Sequence, residues 1–466
     1  MSFKAYPDYM DVGLDWIESI PKHWLVKPNR ALFVESNITN RDNEKLLSVT
    51  ISKGIITQEE LLNSSSKKDS SNLDKSKYKL VEPNDIAYNK MRAWQGAIGV
   101  SKFRGIVSPA YIIHKPKVNI CPDYYHYLFR SASMIKVFEK WSYGITSDQW
   151  SLRPEHFRLI NCILPPYEEQ EQIAHYLDYK NHLINKYIRI KKKQIELLKE
   201  LKQVVINDAV TGKIDVRTGK TYPKYKDSGI DWMGMIPEEW EVNRLKRISS
   251  IRYGLGQPPK EKETGLPLIR ATNVKSGNIV ANDLLLVDSA DVPLSRDAFL
   301  KKDEIIVVRS GALTGDSAII PDKYVGAVAG YDMVVSVYES CPQFIAYVLL
   351  SNYLLQDQLY LLKSRAAQPH LNSGELGGLL ILTPTTEIQH IIVTYIDQLL
   401  KKIDHHIQTI NAEISLILEF RTTLISDVVT GKLDVRSIEI PDFEEEPEDI
   451  EDGIIDDILE EAANAD

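Results

Sequence analysis

The sequence predicts an α+β protein: two mixed α/β heads separated by two long antiparallel coiled-coil helices, arranged as a pseudo-twofold tandem repeat. Three observations predict it. The chain repeats itself at an offset of 216 to 219 residues, each copy ends in a heptad-patterned segment, and short β-branched runs alternate with amphipathic stretches between these anchors.

The repeat is the strongest signal. YPDYMDVGLDWIESIPKHW (6–24) returns as YPKYKDSGIDWMGMIPEEW (222–240) with ten of nineteen positions identical, among them Tyr6, Pro7, Tyr9, Gly13, Trp16, Ile20, Pro21 and Trp24. INDAVTGKIDVR (206–217) returns as ISDVVTGKLDVR (425–436) with nine of twelve identical. The offset of 219 also aligns Lys90 with Arg309, Gly96 with Gly315, Gln149 with Gln368 and Leu152 with Leu371. It aligns Pro165, Glu168, Gln170, Ile173, Tyr176 and Asp178 with Pro384, Glu387, Gln389, Ile392, Tyr395 and Asp397. Framework positions match, whereas most of the globular interiors do not.

The heptads follow. In the first copy one seam position is Leu177, Ile184, Lys191, Leu198 and Val205, and the other is Ala174, Asn181, Ile188, Ile195 and Lys202; seven of the ten are apolar. Shifted by 219, the positions become Ile396, Ile403, Ile410, Ile417, Leu424 and Val393, Leu400, Ile407, Ile414, Arg421, nine of them apolar. Five sustained heptads predict a coiled coil of about 40 residues, roughly 60 Å long. Gly212 and Gly431 of the paired TGK motifs are natural helix stops. Two readings stand open for the polar seam residues Asn181, Lys191, Lys202 and Arg421: they fix register and partner number, or their long side chains reach past the seam to water.

The globular stretches read as mixed α/β. IVSPAYIIH (106–114), IIVVRS (305–310) and AVAGYDMVVSVY (327–338) are expected as strands, and residues 123–141 and 343–362 as helices packed on them. The tryptophans Trp16, Trp24, Trp232 and Trp240 are expected in the core. The boundaries are a first head at 1–165, a central helix at 166–213, a second head at 214–383, a C-terminal helix at 384–436 and an acidic tail at 437–466.

Composition narrows the class. At 43% apolar and 26% charged the chain should be globular. A soluble cytoplasmic protein is expected, because the N-terminus has no signal-like apolar run and no stretch approaches the roughly 18 residues of a membrane span. Cys121, Cys162 and Cys341 are too scattered for a zinc knuckle or a disulfide framework. The tail carries fourteen acidic residues and no basic one, so the net charge of −9 becomes +5 for residues 1–436. The body is mildly basic, which permits nucleic-acid binding. The tail reads as a solvated, disordered end, with competition for a DNA groove or contact with a partner as the alternative.

Catalytic motifs are set aside on their chemistry. LPPY (164–167) resembles the end of an adenine-methyltransferase motif, but Leu164 cannot hold an exocyclic amine. TGK (211–213) lacks the other glycine of a P-loop, and Ile214 stands where Ser or Thr would ligate magnesium. His405 and His406 point to different helix faces, and His175 with His182 has no third ligand.

A domain–helix–domain–helix repeat closes if the two helices pair antiparallel. The heads are then expected at opposite ends, a caliper about a pseudo-twofold axis, matching the local dyad of duplex DNA. Because the heads differ in sequence, the expected target is bipartite and asymmetric, with an uncontacted gap set by the helices.

The doubled Tyr-Pro-x-Tyr…Gly-x-Asp-Trp…Ile-Pro…Trp opening, the helix starts at 165–170 and 384–389, and the paired TGKxDVR ends resemble the specificity (S) subunits of type I restriction–modification systems. The resemblance covers about residues 6–436. The second copy departs from it at Ile388, where the first has Glu169; drift at a framework position is expected there. The resemblance implies that each head is a target recognition domain and that the helices also dock partners. It implies two methyltransferase (M) subunits, restriction/translocase (R) subunits and double-stranded DNA as partners, with S-adenosylmethionine, ATP and Mg bound by the partner subunits and no catalysis in this chain. The rival reading is a non-catalytic coiled-coil adaptor without DNA recognition.

Candidate DNA-binding residues are Arg, Lys, Asn and Gln in Gly-rich loops, the types that contact phosphates and base edges. In the second copy these are Arg252, Gln257, Lys260, Arg270, Asn273, Lys275, and Arg309 with Ser310 beside Gly311 and Gly315. In the first they are Lys90, Arg92, Trp94 and Gln95, then Lys102 and Arg104. Gln149 and Gln368 occupy paired positions before the framework leucines.

If the helices set the gap, inserting seven residues after Lys192 preserves heptad register and lengthens that helix by about 10 Å. At about 3.4 Å per base step the gap should widen by at most roughly three base pairs, with both half-sites unchanged. Sequencing the sites methylated by an assembled complex would read this, and an unaltered gap in an active variant would remove the helices as the ruler.

Overall fold

The computed structural model describes residues 4–64, 74–144, 150–360 and 369–444. It divides into two units, Met1–Lys191 with Ala412–Asp466, and Lys192–Asn411. Each unit holds one head and a stretch of each long helix.

In the first unit, strands β1 (Phe33–Ser36), β2 (Ile86–Asn89), β3 (Ile98–Val100) and β4 (Tyr111–Pro116) form an antiparallel sheet in the order β1-β4-β2-β3. Helices α1 (Pro122–Arg130) and α2 (Ala132–Lys140) follow. Their apolar faces bury Tyr124, Tyr125, Leu128, Phe129, Val137 and Phe138 in the same core as Ile86, Tyr88, Ile98 and Ile112 of the sheet. Pro165 and Pro166 end the head, and α3 (Tyr167–Val210) runs for 44 residues. The second unit repeats the plan with β5 (Ser249–Tyr253), β6 (Ile305–Val307), β7 (Ser317–Ile319) and β8 (Met333–Val337), in the matching order β5-β8-β6-β7. Helix α4 (Pro342–Leu349) covers its core, and α5 (Thr386–Val429), again 44 residues, follows.

Each stretch expected as one head helix is broken. The breaks fall at Ser131 and Ser351, which have extended backbones and whose hydroxyls donate to the carbonyls of Leu128 and Val348. A serine that bonds the backbone offers an alternative to the helical ladder. Of the four tryptophans expected inside, Trp24 and Trp240 are fully buried and Trp16 is half-buried, but Trp232 is 45% exposed, stacked on Tyr353. It lies in a short turn that offers no interior to enter.

None of the seam positions named above is exposed. Lys191 reaches Glu413 at 2.6 Å and Arg421 donates to Asn185 at 3.2 Å in the first unit, so the helix stretches there run antiparallel. In the second unit Lys202 pairs with Asp404. These three seam residues therefore reach charged or polar groups on the facing helix and can fix register. Asn181 instead donates to the Tyr127 hydroxyl, which bonds Asp178, and so ties helix to head.

The TGK ends interlock with the opening motifs. Gly212 and Gly431 both have left-handed backbones, φ +69° and +76°. A Cβ on Gly212 would meet Pro237 at 2.4 Å, and one on Gly431 would meet Pro21 at 2.5 Å and Trp24 at 2.9 Å. The carbonyls of the same glycines accept from Tyr225 and Tyr9 at 3.1 and 3.0 Å. In the second unit the two motifs are chain neighbours, whereas in the first they come from opposite ends of the sequence. Gln170 and Gln389 match as well, each bonding a backbone N–H before a head helix (Cys121 or Cys341) and a carbonyl before a long helix (Pro165 or Pro384).

The Glu169/Ile388 difference has a structural consequence. Glu169 accepts from the Trp24 indole at 2.9 Å and the Tyr6 hydroxyl at 3.1 Å, and pairs with His23 at 2.6 Å. Burial and that carboxylate push the Tyr6 phenol well above its usual range. With Ile388 in its place, the buried Trp240 indole N–H and Tyr222 hydroxyl have no well-formed hydrogen bond among the described residues. Glu169→Ile should therefore destabilise the first unit by at least about 2 kcal/mol, since each stranded buried donor costs about 1–3 kcal/mol. Glu169→Gln, which keeps an acceptor, should cost less. Urea unfolding of both variants reads the difference, and equal losses would mean that the hydrogen bonds are not what matters.

Candidate nucleic-acid interface

In both heads the loop after the second sheet strand is built alike. Asn89 N–H donates to Ala97 O and Val308 N–H to Asp316 O, closing loops in which Gly96 and Gly315 adopt φ +100° and +87°. The carbonyls of Lys90 and Arg309 accept from the N–H of Leu152 and Leu371 at 2.8 and 2.7 Å. Framework leucines thus clamp the residue at which the copies differ.

In the first head the loop is further held by Arg130, which donates to the carbonyls of Ile51, Gly96 and Ile98 at 2.8 to 3.2 Å. Lys90 and Gln95 are half-buried and Arg92 is exposed. The Trp94 indole bonds Met91 O, and its ring meets Trp150 edge-to-face at 5.3 Å. Lys102 and Arg104 are exposed beyond β3. Arg104 is committed to Glu44 and Glu82 at 2.9 and 2.8 Å, so much of its charge is answered within the head.

In the second head the Arg309 guanidinium packs against two rings, 4.5 Å from the centre of Tyr253 and 4.3 Å from that of Tyr331. Its Nη2 contacts His370 Nε2 at 3.0 Å, and its backbone N–H donates to Asp332 at 3.2 Å. Ser310 bridges to His370, and Gly311 N–H bonds Pro369 O. Gln257, Lys260 and Lys275 are exposed, and Arg270 is half-buried with Nη2 donating to Asp283 O.

Two candidates are corrected. Asn273 is fully buried; its oxygen accepts from Arg270 N–H and its amide donates to Val280 and Asn282 carbonyls, so it holds a turn and presents nothing to a ligand. Arg252 makes a two-pronged pair with buried Glu304 at 2.6 Å and bonds Ser336 and the carbonyls of Asp297 and Phe299. That pair holds the Glu304 carboxyl low against the opposing effect of burial. Gln149 and Gln368 lie outside the described residues. Sequence reasoning missed Tyr253, Tyr331, Asp332 and His370. The Ala-Tyr of 110–111 and the Ala-Gly-Tyr of 329–331, each just before or at the start of the fourth sheet strand, offered a hint only for Tyr331.

Among the described residues no cluster of His, Cys, Asp and Glu could hold a metal ion, and no helix is long and apolar enough to cross a membrane.

Residues 237–416 match the family model for the type I restriction modification DNA specificity domain. That stretch, less than half of the chain, is similar to the type I restriction specificity family. It is 25% identical over 276 residues to the type I restriction enzyme EcoBI specificity subunit of Escherichia coli, an alignment covering 58% of each chain. The chain thus spans under two thirds of that relative. It is 26% identical over 374 residues to the MjaVIII specificity subunit of Methanocaldococcus jannaschii, covering 77% of this chain and 81% of that one. A solved chain from a type I restriction–modification system, 14% identical, superposes with a TM-score of 0.63 over 89% of this chain and 99% of its own, a likeness of fold.

Beneath the Arg309 loop, burial pushes the Asp332 carboxyl up to about 6 although Arg309 lowers it. A carboxyl raised by folding stabilises the fold fully below its ordinary 3.8, and that contribution is lost as pH rises through about 6. Relative to Asp332→Asn, the natural chain should lose about 2–3 kcal/mol of stability between pH 4 and 7, at 1.4 kcal/mol per pKa unit. Thermal unfolding of the pair across that range tests it; parallel curves would mean that Asp332 does not titrate there.

Proposed function

We propose that this chain reads a bipartite, asymmetric duplex DNA site, one half-site per head, and directs methylation and restriction carried out by partner subunits. The match of 237–416 to a DNA specificity domain carries the proposal. The shared sheet order and clamped loop extend it to the first head. The clamp presents Lys90 in one copy and Arg309 in the other, which suits two different half-sites. In this reading the chain has no catalytic site, and S-adenosylmethionine, ATP and magnesium belong to the methyltransferase and restriction/translocase partners. Apolar side chains left exposed on the long helices support partner docking: Leu183 and Ile190 in the first unit, Leu197, Leu201 and Val204 in the second.

The test is reconstitution. Alone, with all three cofactors, the full chain should neither methylate nor cut DNA. Mixed with the methyltransferase polypeptides encoded beside it, it should co-purify with them and confer adenine methylation at one bipartite sequence. Robust activity from the chain alone would falsify the non-catalytic reading, and co-purification without any DNA preference would favour the adaptor.

A further inference from the structure

We infer that Arg309 reads a guanine in the half-site met by the second head, with Tyr253 and Tyr331 as the residues that position it; this rests on the DNA-reading proposal above. The Arg309 backbone is fixed on both sides, its N–H on Asp332 and its carbonyl on Leu371. Its guanidinium packs against two rings, Tyr253 and Tyr331, which restrict its rotation. Tyr253 is itself held, its hydroxyl accepting from Ser373 N–H at 2.8 Å. The contact with His370 sets the direction within the plane, and Nε is buried without a partner among the described residues.

Among the described residues, Nη1 and the second hydrogen of Nη2 are left without a partner, beside the exposed Tyr331 and His370. An arginine acting as a mobile positive charge for phosphate gains nothing from two restraining rings, and a lysine would serve. A planar fork restrained by two rings is best matched by a pair of acceptors lying in its own plane. In the major groove guanine N7 and O6 are that pair. The matching residue in the first head, Lys90, is a point charge that cannot form the fork. The two heads therefore read their half-sites by different chemistry at the same framework position.

The test is selection from a randomised duplex library by the full chain and by Arg309→Lys and Tyr331→Leu, with Arg309→Ala as a third variant, all matched for thermal unfolding. The natural chain should enrich a consensus with a guanine in one half-site. Arg309→Lys, which keeps the charge, should relax that one position by at least about fivefold and leave the others intact. Tyr331→Leu, at an exposed ring, should relax the same position without changing the slope of log affinity against log salt. A consensus unaltered in both variants would overturn the inference. So would a uniform loss of affinity with a salt slope about one unit shallower in a variant that removes the charge, Arg309→Ala, because that marks a phosphate contact. Failure of the natural chain to enrich any sequence would instead sink the DNA-reading proposal on which the inference stands.

Discussion

The arrangement depends on one contact made twice: the left-handed glycine at the end of a long helix, seated under the Ile-Pro and Trp of an opening motif. A side chain at Gly212 or Gly431 would collide with Pro237 or Pro21, so the two motifs constrain each other. This explains why they are the best-matched segments of the repeat. In the second unit the contact joins neighbours in the chain. In the first it joins residue 21 to residue 431, so the start of the first head is completed by the end of the last helix. The unit of folding is therefore not the unit of sequence repetition: each head packs on the beginning of its own helix and the end of the other.

With the helix ends fixed in this way, the heads can differ where it matters. The same four-strand order, the same glycine turn and the same leucine clamp deliver one residue from the framework to the surface in each copy. The clamp acts on main chain and is indifferent to the side chain it presents. In the first-head loop Trp94 meets Trp150; around Arg309 the neighbours are Tyr253, Tyr331 and His370. A constant backbone can thus carry different side chains at one position in the two copies.

Much of this was legible in the sequence because it is periodic or doubled. The seam residues announced the helices through a heptad in which every position is at least half-buried. The paired glycines announced the turns, and the offset of 219 put Lys90 and Arg309 in register. What was not legible is whether a polar side chain is spent inside the protein. Arg252 and Arg309 are both arginines following strand residues near glycines. Only the fold reveals that Glu304 faces one and a pair of rings the other, because Glu304 and Tyr331 lie more than twenty residues from the arginines they meet. The helix breaks at Ser131 and Ser351 were hidden for a different reason: the apolar pattern runs through them, and a hydroxyl bonding its own backbone leaves no trace in periodicity.

The Glu169/Ile388 pair shows where the two copies have ceased to be equivalent in structure. In the first unit a single carboxylate collects an indole N–H, a phenol and an imidazole, and Arg436 approaches it at 3.8 Å. In the second, Ile388 buries apolar surface among Ile392, Tyr222 and Trp240 but answers neither polar group. The closure between distant chain ends must gather residues that start far apart, and it is the one reinforced by charge-assisted hydrogen bonds, roughly twice as strong as neutral ones. The closure between chain neighbours begins with its partners already close, so less loop entropy opposes it. The chemistry thus differs between the two copies in the direction that their connectivity demands.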